Sequence, residues 1–293
     1  MQPYLEKLLI LYARVFPIRR GKLRVVDALW RVATGYKNPL RVANLKYGAI
    51  KMPCDLSEML QRQFYFFGTY FVEEDILDCW RDAANGAKII FDVGANSGIY
   101  SLAALAIEPD AIIHAFEPTP EIAARLRETA KLNGLKQLHV HELAVSSANG
   151  HAILRRCRGD MGTNEGMNFI DANLVGPGLV QVSTVCLDQF CKRLGIGHID
   201  LLKLDIQGHE HLALKGAEHL IRDGRVGTIF MELNWGAGAA CGAFESINRL
   251  EEAGYSFAKP GKRLQWEKSG AWLRALTDVV ARRTHLPRGL GSR

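Results

Sequence analysis

Two hydrophobic rhythms divide the chain. Residues 3–16 repeat apolar side chains at helical spacing, with Leu5, Leu9, Tyr12 and Phe16 on one face. Pro17 ends that run. A basic cluster of Arg19, Arg20, Lys22 and Arg24 follows, and the pattern predicts a second helix over 25–33 around Trp30. Residues 41–53 read as a β-hairpin turning near Tyr47-Gly48. An aromatic stretch over 56–70 leads to an acidic amphipathic helix over 73–84, which Asn85-Gly86 stops.

From residue 88 short apolar runs alternate with helical patterns. Strands are predicted over 88–93, 111–117, 138–145, 199–205 and 226–233. Helices are predicted over 98–107, 121–132, 210–223 and 243–253. The third strand returns at Asn149-Gly150 into 152–154; a loop-rich insertion over 155–178, a strand over 180–185 and a helix over 187–194 follow. Strands over 255–259 and 263–266 close the pattern. Such alternation predicts an α/β fold with a doubly wound, Rossmann-like sheet, mostly parallel with an antiparallel last strand. The expected organisation is an N-terminal helical and hairpin extension over 1–86, serving cap, substrate or oligomer contacts. The sheet domain covers 87–268, and a C-terminal helix and flexible tail cover 269–293.

The 293 residues, 48% hydrophobic and 23% charged, suffice for a sizeable core. No window approaches the roughly 18 consecutive apolar residues of a membrane span. The patch Leu8-Leu9-Ile10-Leu11 lies among Glu6, Lys7 and Arg14, with no small-residue cleavage site after it. The expectation is therefore no signal peptide and a cytoplasmic protein. Six cysteines (Cys54, Cys79, Cys157, Cys186, Cys191, Cys241) form no CxxC pair and no zinc spacing, which favours reduced thiols. The net charge of +6 is uneven: +8 over 1–62, +6 over 260–293 and −8 between. Either the basic ends fold onto the acidic centre, or they meet an anionic partner such as a membrane surface or a phosphorylated substrate. The helices of residues 1–33 likewise fit a cap, a second subunit in a homo-oligomer, or a peripheral membrane contact.

In doubly wound sheets ligands bind beyond the carboxyl ends of the strands. Those ends here carry Asp92 and the loop Gly94-Ala95-Asn96-Ser97-Gly98, then Glu117, Glu142-Leu143-Ala144, Asp205 and Glu232. Glu117 stands nineteen residues beyond Gly98, where an acid accepts both hydrogen bonds of a ribose diol. An acid two residues before the first glycine repels a pyrophosphate and suits a cation. S-adenosyl-L-methionine carries a ribose, an ammonium and a sulfonium without phosphate, so charge favours it over NAD. An NAD-linked oxidoreductase, or a glycine turn that only packs helix on strand, are the alternatives.

Four motifs in order then carry a resemblance: Phe91-Asp92-Val93-Gly94-Ala95-Asn96-Ser97-Gly98, Ala115-Phe116-Glu117-Pro118-Thr119-Pro120, Ala144-Val145-Ser146, and Ile199-Asp200-Leu201-Leu202-Lys203-Leu204-Asp205-Ile206-Gln207-Gly208-His209-Glu210. Residues 90–234 resemble the FkbM family of S-adenosylmethionine-dependent methyltransferases, within the class I methyltransferase fold. The resemblance implies that Asp92, Gly94, Asn96 and Gly98 form the methionine side of the cofactor site. It implies that Glu117 holds the ribose, that the turn from Glu142 to Ala144 borders the adenine, and that Asp205 faces methionine and substrate. Gln207 departs from the family's Asp-x-Glu-Gly pattern; read as decay, it leaves a non-catalytic cofactor-binding module as a further alternative. In-line methyl transfer requires placement of the acceptor and exclusion of water, and an alcohol acceptor needs a base. Asp205, His209 and Glu210 are the catalytic candidates. His209 has the pKa suited to neutrality, while Glu210 also fits a helix-dipole role. A metal-assisted variant would use Asp205, Glu232 and Asn234; the preferred assignment has no metal. The base-modifying Asn-Pro-Pro-Tyr motif is absent and the basic residues lie at the ends, which argues against a nucleic-acid partner. The expected activity is O-methylation of a hydroxyl on a sugar, glycolipid or natural-product intermediate.

Overall fold

A computed structural model of the chain describes residues 2–35, 40–155, 158–159, 162–163, 169–170, 178–235, 240–261, 264, 266–268, 270, 272–273 and 277–283. Helices α1 (Gln2–Val15) and α2 (Lys22–Thr34) precede a hairpin of β1 (Leu40–Asn44) and β2 (Lys51–Asp55). Helix α3 (Met59–Phe67), a 3-10 turn (Phe71–Glu73) and α4 (Glu74–Ala84) follow. The alternating part runs β3 (Ile89–Val93), α5 (Ile99–Leu105), β4 (Ile112–Phe116), α6 (Pro120–Leu132) and β5 (Leu138–His141). Next come β6 (Ala144–Val145), β7 (Gly150–Arg155), the short strands β8 (Arg158–Gly159), β9 (Gly162–Thr163) and β10 (Phe169–Ile170), and β11 (Leu179–Val185). After α7 (Leu187–Leu194) and β12 (Ile199–Leu204) come α8 (Glu210–Lys215), α9 (Glu218–Arg222), β13 (Val226–Glu232), α10 (Ala240–Glu252), β14 (Tyr255–Ala258) and β15 (Asp278–Arg283).

Seven strands form the central sheet in the order β14-β15-β13-β12-β3-β4-β5. The five from β13 to β5 are parallel; β15 runs antiparallel to both β13 and β14. The α/β sheet with an antiparallel addition is thus as expected. Its central strands are buried on both faces, which is why they read as largely apolar runs, broken in β3 by Asp92 and in β12 by Asp200 and Lys203. The register sets Lys203 of β12 directly beside Asp92 of β3.

Four expectations are corrected. Where a C-terminal helix and flexible tail are expected over 269–293, residues 278–283 form β15, because Val279, Val280 and Ala281 are fully buried between two strand neighbours; residues 284–293 lie outside the described set. The strand expected over 263–266 does not form among its described residues, and a single bridge joins Phe257 to Glu267. The helix expected over 210–223 breaks into α8 and α9 at Gly216-Ala217, where a Cβ on Gly216 would sit 2.1 Å from the Ser146 carbonyl oxygen. The third strand also divides: β5 stays in the central sheet, while β6 pairs with β11 in a second sheet, β10-β7-β11-β6. Much of the expected insertion over 155–178 lies outside the described residues.

Residue 86 is no boundary in the core. Trp30, Phe64, Phe66, Leu77 and Trp80 of the N-terminal segment belong to the same apolar cluster as Ile90, Ala103, Ile113 and Phe230 of the sheet domain. Trp80 anchors the union: its indole nitrogen donates to the Tyr100 carbonyl at 2.9 Å, and its ring meets those of Tyr100 and Phe230. The N-terminal segment is therefore one of the sheet's two covering layers, and the other face has its own cluster around Phe190, Leu202 and Leu214.

The contact at Gly216 gives a direct test. The three atoms nearest the missing Cβ are all backbone, from Ser146 and Ser147, so no flexible side chain can yield to relieve the closest contact. Gly216→Ala is expected to cost about 1–3 kcal/mol, read from the urea unfolding midpoint.

Candidate active site

The glycine loop owes its shape to close approach. Gly94 has φ 76°, and a Cβ there would lie 2.0 Å from the Asp205 carbonyl oxygen. Its amide and that of Ala95 both donate to the Phe116 carbonyl at 3.0 Å. Glu117 is buried just beyond β4, where its carboxylate accepts from the Asn96 amide at 3.1 Å and the Thr119 amide at 2.8 Å. Among the described residues only Asn96 and Gln207 are non-glycines with positive φ. Both line one cavity, which is where backbone strain concentrates when a site requires it.

That cavity, about 540 Å³, opens at the carboxyl ends of β3, β4, β12 and β13. Its size suits a small-molecule cofactor. Gly94, Asn96, Glu117, Ala144 and Asp205 all line it. Gly98, Asp92, Glu142, His209 and Glu210 do not, and each has another role. Gly98 leaves room for Leu126, whose Cδ1 would be 2.2 Å from a Cβ. Asp92 is fully buried beneath the loop, accepting from the Ser101 amide at 3.1 Å and hydroxyl at 2.6 Å, and so ties β3 to the first turn of α5. Glu142 is exposed and pairs with Arg127 at 3.2 Å, leaving Leu143 and Ala144 as the wall. His209 stands at the N-cap position of α8 without a side-chain cap hydrogen bond, outside the cavity. Glu210 is buried and accepts from the amides of Ile206 (2.9 Å) and Gly208 (3.3 Å), so it shapes the loop that aims Gln207 inward.

Several cavity residues come from outside the family motifs; of these, the aromatic stretch from Phe64 to Tyr70 is expected from sequence to bound the acceptor, and both of its end residues line the cavity. Met59, Leu60 and Phe64 come from α3, Tyr70 from just before the 3-10 turn and Glu73 from its end, and Asp278 from β15. Lys203, buried in β12, places Nζ 3.0 Å from Asp205 Oδ2, 3.9 Å from Asp92 Oδ1 and 4.7 Å from the centre of the Tyr100 ring. Gln207 donates its amide to Asp205 Oδ1 at 3.2 Å and to Glu232 Oε2 at 3.0 Å. Tyr100 donates its hydroxyl to Glu73 at 2.8 Å. A usable signal existed for Glu73, an acid shortly after the aromatic turn, and for Glu232, a strand-ending acid. None existed for Asp278, whose strand lies in a segment that reads as helix.

Burial dominates the electrostatics. It pushes Glu232 up to about 8, with the charges of Asp205, Glu210 and Asp278 adding to the effect. Burial and Asp205 raise Glu73 to about 7; burial raises Glu210 to about 7 against the loop amides that favour its ionised form. Desolvation would lower Lys203, but Asp205 and Asp92 hold its ammonium above its ordinary range. Among the described residues no group of three or more His, Cys, Asp or Glu side chains is placed to hold a metal ion. An amide hydrogen-bond donor, from Gln207, stands between Asp205 and Glu232.

Fold and site together define a class I methyltransferase-type domain: a glycine loop at β3, an acid after β4 and a second loop after β12 around one cavity. The methyltransferase FkbM domain matches residues 92–257, more than half of the chain, and the protein belongs to that family. Among curated relatives, the 2-O-methyltransferase NoeI of Sinorhizobium fredii is 29% identical over 146 residues, covering 45% of this chain and 58% of NoeI. The 31-O-demethyl-FK506 methyltransferase FkbM of Streptomyces tacrolimicus is 28% identical over 154 residues, covering 44% of this chain and 59% of the relative. The aligned region spans less than three fifths of either relative's length. A solved S-adenosylmethionine-dependent methyltransferase from Agrobacterium tumefaciens overlaps 84% of this chain and 70% of its own, at TM-score 0.45 and 10% identity. That likeness is too loose to bear on activity.

Family membership brings S-adenosyl-L-methionine as the cofactor, and the cavity's donor set fits it. Among the described residues, five acidic side chains (Glu73, Glu117, Asp205, Glu232, Asp278) line the cavity against a single lysine that is already paired. Such a wall suits a cation and repels a pyrophosphate. The charge argument for the cofactor therefore stands, but Asp92 does not carry it.

The raised carboxyls fix the sign of a pH response. Glu232 binds its proton more tightly in the fold than in the unfolded chain, so its contribution to stability falls as pH rises from about 4.3 towards 8. Wild type is expected to lose stability relative to Glu232→Gln between pH 5 and about 8, measured by thermal melts across that range. Lys203→Met, which leaves Asp92 buried without its cation, is expected to cost about 3–5 kcal/mol in urea unfolding.

Proposed function

We propose that this protein is an S-adenosylmethionine-dependent O-methyltransferase acting on a hydroxyl of a sugar, glycolipid or natural-product intermediate. The observation that carries the reading is the acidic cavity, framed by Gly94, Asn96 and Glu117 on one side and by Asp205, Gln207 and Glu232 on the other. The names of the two relatives, both O-methyltransferases, support oxygen as the accepting atom.

When bound, the cofactor supplies an electrophilic methyl group on a sulfonium. Glu117, with both oxygens already oriented by loop amides, accepts from the ribose hydroxyls. Asp205, paired with Lys203, would meet the cofactor's ammonium. Of the three catalytic candidates from sequence only Asp205 reaches the cavity, and its two oxygens are already engaged by Lys203 and Gln207. Glu232 is better suited: it lines the cavity, Gln207 orients it, and burial brings it to about 8, close to the operating range of a general base. Met59, Leu60, Phe64 and Tyr70 supply an apolar wall that excludes water and shapes the acceptor's place.

Titration calorimetry with S-adenosylhomocysteine tests the reading. Binding is expected, with NAD unable to compete, and Glu117→Ala is expected to weaken it about 10- to 100-fold through loss of charge-assisted hydrogen bonds. Glu232→Gln should keep that binding and lose transfer of labelled methyl to a panel of polyhydroxylated acceptors. Absence of S-adenosylhomocysteine binding, or displacement by NAD, would overturn the proposal.

A further inference from the structure

The outer face of the N-terminal layer is apolar where a surface helix is normally polar. In α1, Leu9 and Ala13 are buried, yet Tyr4, Leu8, Leu11 and Val15 form a second stripe at helical spacing that is 58–77% exposed. In α2, Val26 and Trp30 are buried, while Val25, Leu29 and Val32 repeat the arrangement in solvent. Phe16 and Ile18, in the connection between the two helices, are exposed as well. Eleven of the eighteen large apolar side chains exposed among the described residues fall between 4 and 42. This is a concentration, not the usual scatter.

Charge selects what could cover it. The two acids of α1 and α2 are consumed inside the protein: Glu6 by Arg41 and the Tyr65 hydroxyl, Asp27 by Arg62. Arg14 and Lys22 turn inward to backbone carbonyls, and Arg19 pairs with Glu74. Lys7, Arg20 and Arg24 are exposed and make no ion pair with the described residues. A two-fold contact between copies of this hairpin would bring like cations together with no acid of the hairpin left to answer them. An anionic lipid surface supplies the missing charge and takes up the apolar side chains at the headgroup boundary. No described helix is long and apolar enough to cross a membrane, so the contact is interfacial.

We propose that α1, α2 and their connection form a docking surface for an anionic membrane. The proposal does not depend on the methyl-transfer reading, and its test uses neither cofactor nor acceptor. The full chain is sedimented with phosphatidylcholine vesicles, with and without phosphatidylserine, at low and high salt. Binding is expected with phosphatidylserine, at least tenfold weaker without it, and reduced by salt. Two double variants carry the surface's two components: Leu8→Gln with Leu11→Gln, and Arg20→Glu with Arg24→Glu. All four positions are exposed, so unchanged thermal melts are expected, with vesicle affinity at least tenfold lower in each. Failure to bind phosphatidylserine vesicles, equal binding to neutral ones, or full binding by either folded variant would overturn the proposal. A concentration-dependent dimer in sedimentation velocity that Leu8→Gln with Leu11→Gln abolishes would do the same, by assigning the face to a second copy.

Discussion

A buried ammonium sets the terms for the rest of this site. Lys203 sits in the middle of the sheet, where an unpaired charge would be prohibitive. Strand register supplies one counter-charge, Asp92 on β3, and the end of its own strand supplies the other, Asp205. The consequences run in both directions. Asp92 also accepts from Ser101, so the same carboxylate that answers the lysine fixes the start of α5 behind the glycine loop. Asp205 gives one oxygen to Lys203 and the other to Gln207, which reaches on to Glu232. A continuous polar chain thus crosses from beneath the cofactor loop to the far wall of the cavity, and moving one member disturbs its neighbours.

The chain's alternation of short apolar runs and helices makes the sheet legible, and the glycine loop with Glu117 makes the cofactor side legible. The errors at individual acids have a geometric cause. Glu117 and Asp205 come one residue after their strands and Glu232 is the last residue of its own, so all three emerge at the sheet's end. Asp92 comes one residue before the end of β3, and its side chain stays within the sheet's covering layer. A one-residue shift decides between cavity wall and buried support. Glu142 follows β5 as Asp205 follows β12, but β5 is the edge strand, and Arg127 of α6 pairs with Glu142 on the outside.

The other half of the cavity was beyond local pattern because distant segments build it. Phe64, Tyr70 and Glu73 reach the site only because α3 and α4 share a core with the sheet through Trp80 and Phe230. Nothing within residues 59–73 signals that union. Asp278 depends likewise on β15, six residues whose strand character comes from insertion between β13 and β14. The N-terminal segment that looked like an extension is thus part of the core, part of the cavity wall and, on its outer side, the apolar surface.

Gln207 gains a different meaning from these contacts. A residue forced into the left-handed region costs backbone energy, and the cost is sustained only when the surroundings require that conformation. Here Glu210 requires it, by accepting from the amides on either side of Gln207. The side chain so presented must satisfy two carboxylates at once. An amide can donate one proton to each, whereas a carboxylate at this position would place a third negative charge between Asp205 and Glu232, neither of which could donate while ionised. The substitution that breaks the family pattern is in this structure a neutral clamp: its amide lets two acids stand side by side, Asp205 against Lys203 and Glu232 across the cavity. The difference between them follows from position, since among the described residues Lys203 forms an ion pair with Asp205 and none with Glu232.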